Sequence, residues 1–202
     1  MTRFATALPV QLEGSALAQG VLRLAGWRLF FKGLPARQGV LIVYPHTSNW
    51  DFVIGILAKW GIGIPVTFWG KDSLFKLPLF GRWLRWLGGV PVDRGSANGI
   101  VGQMARELVA AREQGRFLWL ALAPEGTRRH ASAWRSGFYH VARAAQVPLG
   151  LVFMDYGRRE VGVEHFMMLS GDVQADMAQI RQHFSSRTGR HPERAAPIEL
   201  NL

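Results

Sequence analysis

Val40-Leu41-Ile42-Val43-Tyr44-Pro45-His46-Thr47-Ser48-Asn49-Trp50-Asp51 carries a strand, a break and a helix start in twelve residues. Its first four residues are the short apolar run of a buried strand, and an apolar helical pattern begins at Phe52. On one unbroken α-helix a spacing of five would turn His46 and Asp51 about 140° apart. They can meet only if His46 lies in a turn and Asp51 in the first helical turn. Pro45 and the Thr47-Ser48-Asn49 cluster supply that break and cap.

A carboxylate that accepts from one imidazole nitrogen fixes the tautomer and raises the basicity of the other nitrogen. Paired in this way, His46 and Asp51 make a general base that can take a proton from a hydroxyl without a serine or cysteine nucleophile. The same residues also read as a capping box, Ser48-x-x-Asp51, with His46 an ordinary loop residue.

Outward from this stretch, apolar runs alternate with helical patterns. Residues 97–114 place Ile100, Met104, Leu108 and Ala111 on one helical face, ended by Gly115. Phe117 to Ala123 is continuously apolar, as in a central strand covered on both faces, and runs into Pro124-Glu125-Gly126-Thr127-Arg128-Arg129. A helix is expected from Trp134 to Gln146, a strand from Val147 to Tyr156, a further strand over Val161 to Leu169 and a helix over Val173 to Phe184. The alternation implies one α/β domain with a largely parallel or mixed central sheet flanked by helices. Ligand sites in such sheets collect at the carboxyl ends of the strands, where His46-Asp51 and Glu125-Arg128 both lie.

The chain has 202 residues, enough for one substantial core, and no cysteine, so no disulfide, thiol nucleophile or cysteine-bound metal. Its net charge of +10 calls for an anionic partner: nucleic acid, a membrane surface or a phosphorylated substrate. With 8 Trp and 12 Phe it is greasier than an ordinary nucleic-acid binder, its cations are dispersed, and no nucleic-acid motif is present. A protein lying on an anionic bilayer fits better, with indoles in the interface and arginines at head groups.

Residues 1–38 read as an amphipathic segment with no signal-peptide pattern, and a helix is expected from Gly14 to Phe31 with Leu17, Val21 and Leu24 on its apolar side, either packed on the core or lying in a membrane interface. Residues 52–70 are broken by Gly55, Gly61, Gly63 and Pro65. They read as a helix followed by the strand Val66-Thr67-Phe68-Trp69 rather than a membrane span. Residues 71–87 mix bulky apolar side chains with cations, the best candidate for a surface that contacts lipid or an acyl chain. Gly88 to Arg94 reads as a turn, a short extended piece and a charged exit. The polar tail, 185–202, is expected to be exposed.

Taken in order, His46-x-x-x-x-Asp51, Gly89 to Arg94, Pro124-Glu125-Gly126-Thr127-Arg128 and Val147-Pro148 resemble the four motifs of the PlsC-type glycerolipid acyltransferases. The resemblance covers about residues 40 to 155 and places the domain at 39–184. Pro45 stands where the family often has asparagine, Ala123 where phenylalanine is frequent, and Arg129 where serine is common.

What the resemblance implies is transfer of a fatty acyl group from acyl-CoA or an acyl-carrier protein to a hydroxyl of a lysophospholipid or glycerol-phosphate-like acceptor. His46 would deprotonate that hydroxyl, Asp51 would orient His46, and Arg94, Glu125, Gly126, Thr127 and Arg128 would hold the acceptor, the two arginines on its phosphate. Neither a covalent intermediate nor a metal or other bound cofactor is implied. Such an enzyme is expected on the cytoplasmic face of the inner membrane, peripheral or monotopic. A lipid hydrolase using the same pair to activate water is the alternative that the residues do not separate.

Overall fold

A computed structural model describes residues 8–92 and 97–201. Nine strands and seven helices are described: α1 (Ala16–Leu24), β1 (Arg28–Phe31), β2 (Gln38–Tyr44), α2 (Trp50–Ile62), β3 (Val66–Lys71), α3 (Asp72–Phe75), α4 (Pro78–Trp86), β4 (Gly89–Val92), α5 (Ala97–Glu113), β5 (Leu118–Leu122), β6 (Trp134–Arg135), α6 (Gly137–Ala145), β7 (Leu149–Asp155), β8 (Glu160–Met167), α7 (Val173–Phe184) and β9 (Leu200–Asn201). Seven strands form one sheet in the order β1-β8-β7-β2-β5-β3-β4, and β6 pairs with β9 in a small second one. Only the β7–β8 pairing is antiparallel in the large sheet, so β8 and β1 run against the other five strands and the α/β class with a mixed sheet is observed.

The three apolar runs of the sequence are the three central strands. β2 pairs in parallel with β7 on one side and β5 on the other, Ile42 facing both Leu151 and Leu122. Val40, Ile42, Leu120, Leu149 and Leu151 are fully buried there beneath α5, α6 and α7. Each such side chain contributes roughly 1.5–3 kcal/mol by leaving water, which is why these runs take the middle of the sheet. The same pairing sets the ends of β2, β5 and β7 side by side at one edge.

The amino-terminal region differs from the expected long helix. Ser15 caps α1 by accepting from the Ala18 N–H, and α1 stops at Leu24 because Gly26, at φ 78°, closes the end and the Trp27 N–H returns to the Leu22 carbonyl. Beyond it Leu29-Phe30-Phe31, an aromatic-rich extended run, forms a strand beside β8. α1 turns Ala18 and Leu22 inward and leaves Leu17, Val21 and Leu24 exposed.

Two further segments depart from expectation. Trp134 belongs to β6 and α6 begins at Gly137. The tail is not wholly exposed: Gly189, Ala196 and Ile198 are buried, β9 pairs with β6, and the Arg181 guanidinium donates to the Ile198 carbonyl at 3.1 Å. Arg187 of the tail also turns inward, its guanidinium 2.9 Å from Glu160 and over the Phe153 ring, contacts that composition alone does not announce. Residues 93–96, including Arg94, lie outside the described residues.

Candidate active site

Tyr44 ends β2 with its ring buried against Trp134 at 5.0 Å and Phe184 at 5.3 Å, and its hydroxyl donates to the Ala196 carbonyl at 3.0 Å. Burial first, then the nearby Glu125 charge, pushes this hydroxyl up to about 12, so it stays a donor. The chain turns at Pro45 and enters α2 at Trp50. Asn49 makes no side-chain cap. Instead Oδ2 of Asp51 accepts from the backbone N–H groups of Thr47 at 2.7 Å and Ser48 at 2.8 Å, and Ser48 Oγ accepts from the Trp50 N–H at 3.2 Å.

The carboxylate that caps the turn also touches the imidazole. The same Oδ2 lies 3.3 Å from Nδ1 of His46. Oδ1 is taken by the Tyr156 hydroxyl, which donates at 2.8 Å from the end of β7. The Asp51 side chain is 1% exposed and that of His46 18%. Burial works to raise the Asp51 carboxyl, but donation from His46, Ser48 and Tyr156 outweighs it and holds the group below the usual carboxylate range. A tautomer with its hydrogen on Nδ1, the nitrogen beside Asp51, would leave the lone pair of His46 on Nε2.

Glu125 follows β5, the other neighbour of β2. It is 2% exposed, with Oε2 accepting from the His46 N–H at 2.6 Å and Oε1 from the Ala196 N–H at 3.0 Å. Both oxygens are spent on backbone donors, so this carboxylate fixes the turn that carries His46. Burial pushes it up to about 7, against the two N–H donors and together with the Asp51 charge. Gly126 takes φ 65°, and a Cβ there would meet the Arg135 side chain at 2.7 Å. Thr127 is half-buried, with Oγ1 accepting from the Arg129 N–H at 3.2 Å, and Arg128 is exposed with no ion-pair partner among the described residues.

Thus the structure brings His46, Asp51 and Glu125 together at the adjoining ends of β2 and β5, and Gly126, Thr127 and Arg128 follow Glu125 in the same loop. Three contributions were not expected from sequence. Tyr156 is the last residue of an expected strand, the same topological position as the other site residues, and that is the signal that could have found it. Thr47 Oγ1 accepts from the His191 N–H at 3.1 Å, and the Tyr156 N–H donates to the Thr188 carbonyl at 2.8 Å, so the tail clasps the site. No motif marks that clasp, because it acts through backbone. Among the described residues no group of three His, Cys, Asp or Glu is placed to hold a metal ion.

The acyltransferase family model matches residues 30–153, a span that includes both strand ends of this site. The chain belongs to the PlsC-type acyltransferase family. No curated protein matches this acyltransferase. Its fold is similar to the crystal structure of the 1-acyl-sn-glycerophosphate (LPA) acyltransferase PlsC from Thermotoga maritima, with a TM-score of 0.52 and 16% identity over 86% of this chain and 78% of that one. Thr188, His191 and Ala196, whose backbone groups bond to Tyr156, Thr47 and Glu125, lie beyond the matched span.

Proposed function

We propose that the protein transfers a fatty acyl group from an acyl thioester, acyl-CoA or acyl-carrier protein, to a hydroxyl of a lysophospholipid or glycerol-phosphate-like acceptor. The observation that carries the reading is the His46–Asp51 contact at 3.3 Å beside a strand-end turn bearing Arg128. His46 Nε2 takes the proton of the acceptor hydroxyl as its oxygen attacks the thioester carbonyl. The tetrahedral intermediate expels the thiolate, which takes up that proton, and Asp51 stabilises the transient imidazolium. Arg128, with Arg94, holds the acceptor phosphate, because a guanidinium binds phosphate bidentately.

An apolar path supports a long-chain substrate. Phe52, next to Asp51, packs on Phe68 at 5.5 Å and on Trp83 of α4 at 6.1 Å, leading from the base to an exposed greasy face. That face carries Leu17, Val21 and Leu24 of α1, Trp60 of α2 and Leu79, Phe80, Trp83 and Trp86 of α4. The last helix shows 82% of Leu79 and 72% of Trp86 to solvent, beside Arg82 and Arg85. Among the described residues no helix is long and apolar enough to cross a membrane. We take this face to rest in the interface of an anionic leaflet, indoles at head-group depth, which makes attachment peripheral and one-sided.

Incubation with radiolabelled acyl-CoA and a panel of lysolipids tests the reading. A labelled diacyl product that disappears in His46→Ala supports it. Release of free fatty acid with no diacyl product would instead establish hydrolysis.

A further inference from the structure

Direct transfer requires two substrates at one base, and the site has two flanks. Arg128 stands on the β5 side of the His46 turn. On the β7 side stands Arg190, from the tail. Gly189 lies so close to the turn that a Cβ would sit 2.8 Å from Thr47 Oγ1 and 3.1 Å from Pro45 Cβ. On the other side, the His191 N–H donates to Thr47 Oγ1 at 3.1 Å. Both neighbours of Arg190 are thus anchored to the loop that carries His46.

The side chain itself lies between two aromatic rings, its Cζ 5.8 Å from the centre of Trp50 and 5.9 Å from that of Tyr156. These are the residue preceding Asp51 and the residue that donates to it. The guanidinium is exposed, and no described carboxylate lies within ion-pair distance. A solvated surface arginine would have neither its backbone clamped on both sides nor two ring faces restricting its direction. With its fork restrained, one donor toward the Tyr156 hydroxyl and no described carboxylate taking the others, little ordering remains for an anion to impose.

Resting on the acyl-transfer reading above, we propose that Arg190 is a further phosphate-binding residue, on the opposite flank of His46 from Arg128, and takes a phosphate of whichever substrate Arg128 does not hold. Acyl-CoA and a lysophosphatidate both carry the required group. The two substrates would then approach the base from opposite sides, each anchored by its own guanidinium.

The test is Arg190→Gln, compared with wild type, with Arg190→Lys, and with Arg194→Gln as an exposed cation of the same tail. Palmitoyl-CoA and lysophosphatidate are varied in turn. Separately, coenzyme A and glycerol 3-phosphate are titrated at low salt by calorimetry, which needs no turnover. For Arg190→Gln the expected result is a KM raised roughly 10- to 100-fold for one substrate only, as loss of a charge-assisted phosphate contact implies. The matching titrant loses affinity, kcat changes little, Arg190→Lys recovers part of the loss, and Arg194→Gln behaves as wild type. The substrate affected identifies the source of the phosphate.

If both KM values and both affinities stay within about twofold of wild type, whatever happens to stability or pH profile, Arg190 only balances the buried Asp51 charge and the proposal fails. Wild type binding neither titrant overturns it as well. If no acyl transfer is seen but a titrant binds and Arg190→Gln abolishes that, the subsite stands and the acyl-transfer reading alone falls.

Discussion

Tyr156 donates its hydroxyl hydrogen to Oδ1 of Asp51 at 2.8 Å, leaving Oδ2 to serve His46 and the Thr47 and Ser48 N–H groups. The tyrosine ring is held edge-on against Trp27 at 4.9 Å, so the donor is fixed from outside the turn. Burial, then the bond to Asp51 and its charge, raise the Tyr156 hydroxyl far above its ordinary range, with Arg190 opposing. It therefore remains protonated wherever the protein is folded. Two strands and a helix thus meet at one carboxylate: β2 supplies its loop, α2 the residue itself, and β7 the donor to its second oxygen.

Tyr156→Phe keeps the ring and removes only the donor. Asp51 then loses one of the bonds that hold it below the usual carboxylate range, so it protonates at higher pH. The acid limb of the kcat/KM profile moves upward in pH, and kcat at neutral pH falls roughly tenfold, the size of one hydrogen bond to a charged group. A profile superimposable on that of wild type would remove Tyr156 from the positioning of the base.

Asp51→Asn should cost both activity and stability. With its amide oxygen in the Oδ2 place it still accepts from Thr47 and Ser48 but turns its NH2 to the Tyr156 hydroxyl; flipped, it turns the NH2 to His46 Nδ1 and loses both backbone bonds, and either way the charge that stabilises an imidazolium is gone. Loss of activity on the order of 10²–10⁴-fold is expected, the range that a positioned base supplies. Chemical denaturation should give a stability loss of about 1–3 kcal/mol from the disturbed buried network. Thermal unfolding should remain cooperative, which separates the chemical effect from unfolding.

Glu125 and His183 should have opposite effects on how stability depends on pH. Burial raises Glu125 from 4.5 to about 7, so the native state binds the proton more tightly and this group's stabilisation is lost as pH rises through that window. His183 is lowered to about 4 by burial, with the charges of His165 and Arg187 acting in the same direction. Its contribution is present above the ordinary histidine value of 6.5 and lost as pH falls below it. Between about pH 4.5 and 6.5 the two slopes cancel in part. Glu125→Gln should leave stability falling steadily on acidification, with a limiting slope of about 1.4 kcal/mol per pH unit. Denaturant midpoints at half-unit pH steps measure it, and an unchanged slope would show that Glu125 does not titrate in that window.

The legible part of this protein was whatever apolar periodicity and strand-end position could signal. Val40–Val43 and Phe117–Ala123 are long enough and apolar enough to be central strands, and their pairing in the structure puts His46 and Glu125 side by side. The His46–Asp51 geometry was readable because Pro45 and Ser48 exclude a continuous helix. What the residues could not announce was made of backbone. The donors to Glu125 are the N–H groups of His46 and Ala196, and the donor to Thr47 is that of His191, groups that every residue other than proline carries. For the same reason Glu125 reads as a ligand-facing acid next to a flexible glycine, although its two oxygens are occupied within the protein. The short α1 was missed because Leu29, Phe30 and Phe31 continue a helical apolar spacing that Gly26 interrupts.

The greasy face makes a prediction independent of the chemistry. Leu79 and Trp86 project from α4 into solvent, and Trp86 stacks edge-on with Trp60 at 6.0 Å while Lys59 donates to the Leu87 carbonyl, which holds α4 against α2 without either projecting side chain entering the core. Replacing both, as Leu79→Glu with Trp86→Glu, removes two large apolar groups from any interface and adds two charges that an anionic surface repels. Each lost apolar group alone is worth about 1.5–3 kcal/mol of partition free energy. Co-sedimentation with vesicles containing phosphatidylglycerol should therefore fall by at least about 100-fold in partition coefficient, while circular dichroism and acyl transfer to a short-chain, water-soluble acceptor stay near wild type. Wild-type binding should also weaken as salt is raised, since Arg82 and Arg85 flank the same surface and screening cuts their attraction to the leaflet. Equal partition of wild type and the double variant would place the membrane-facing side elsewhere on the molecule.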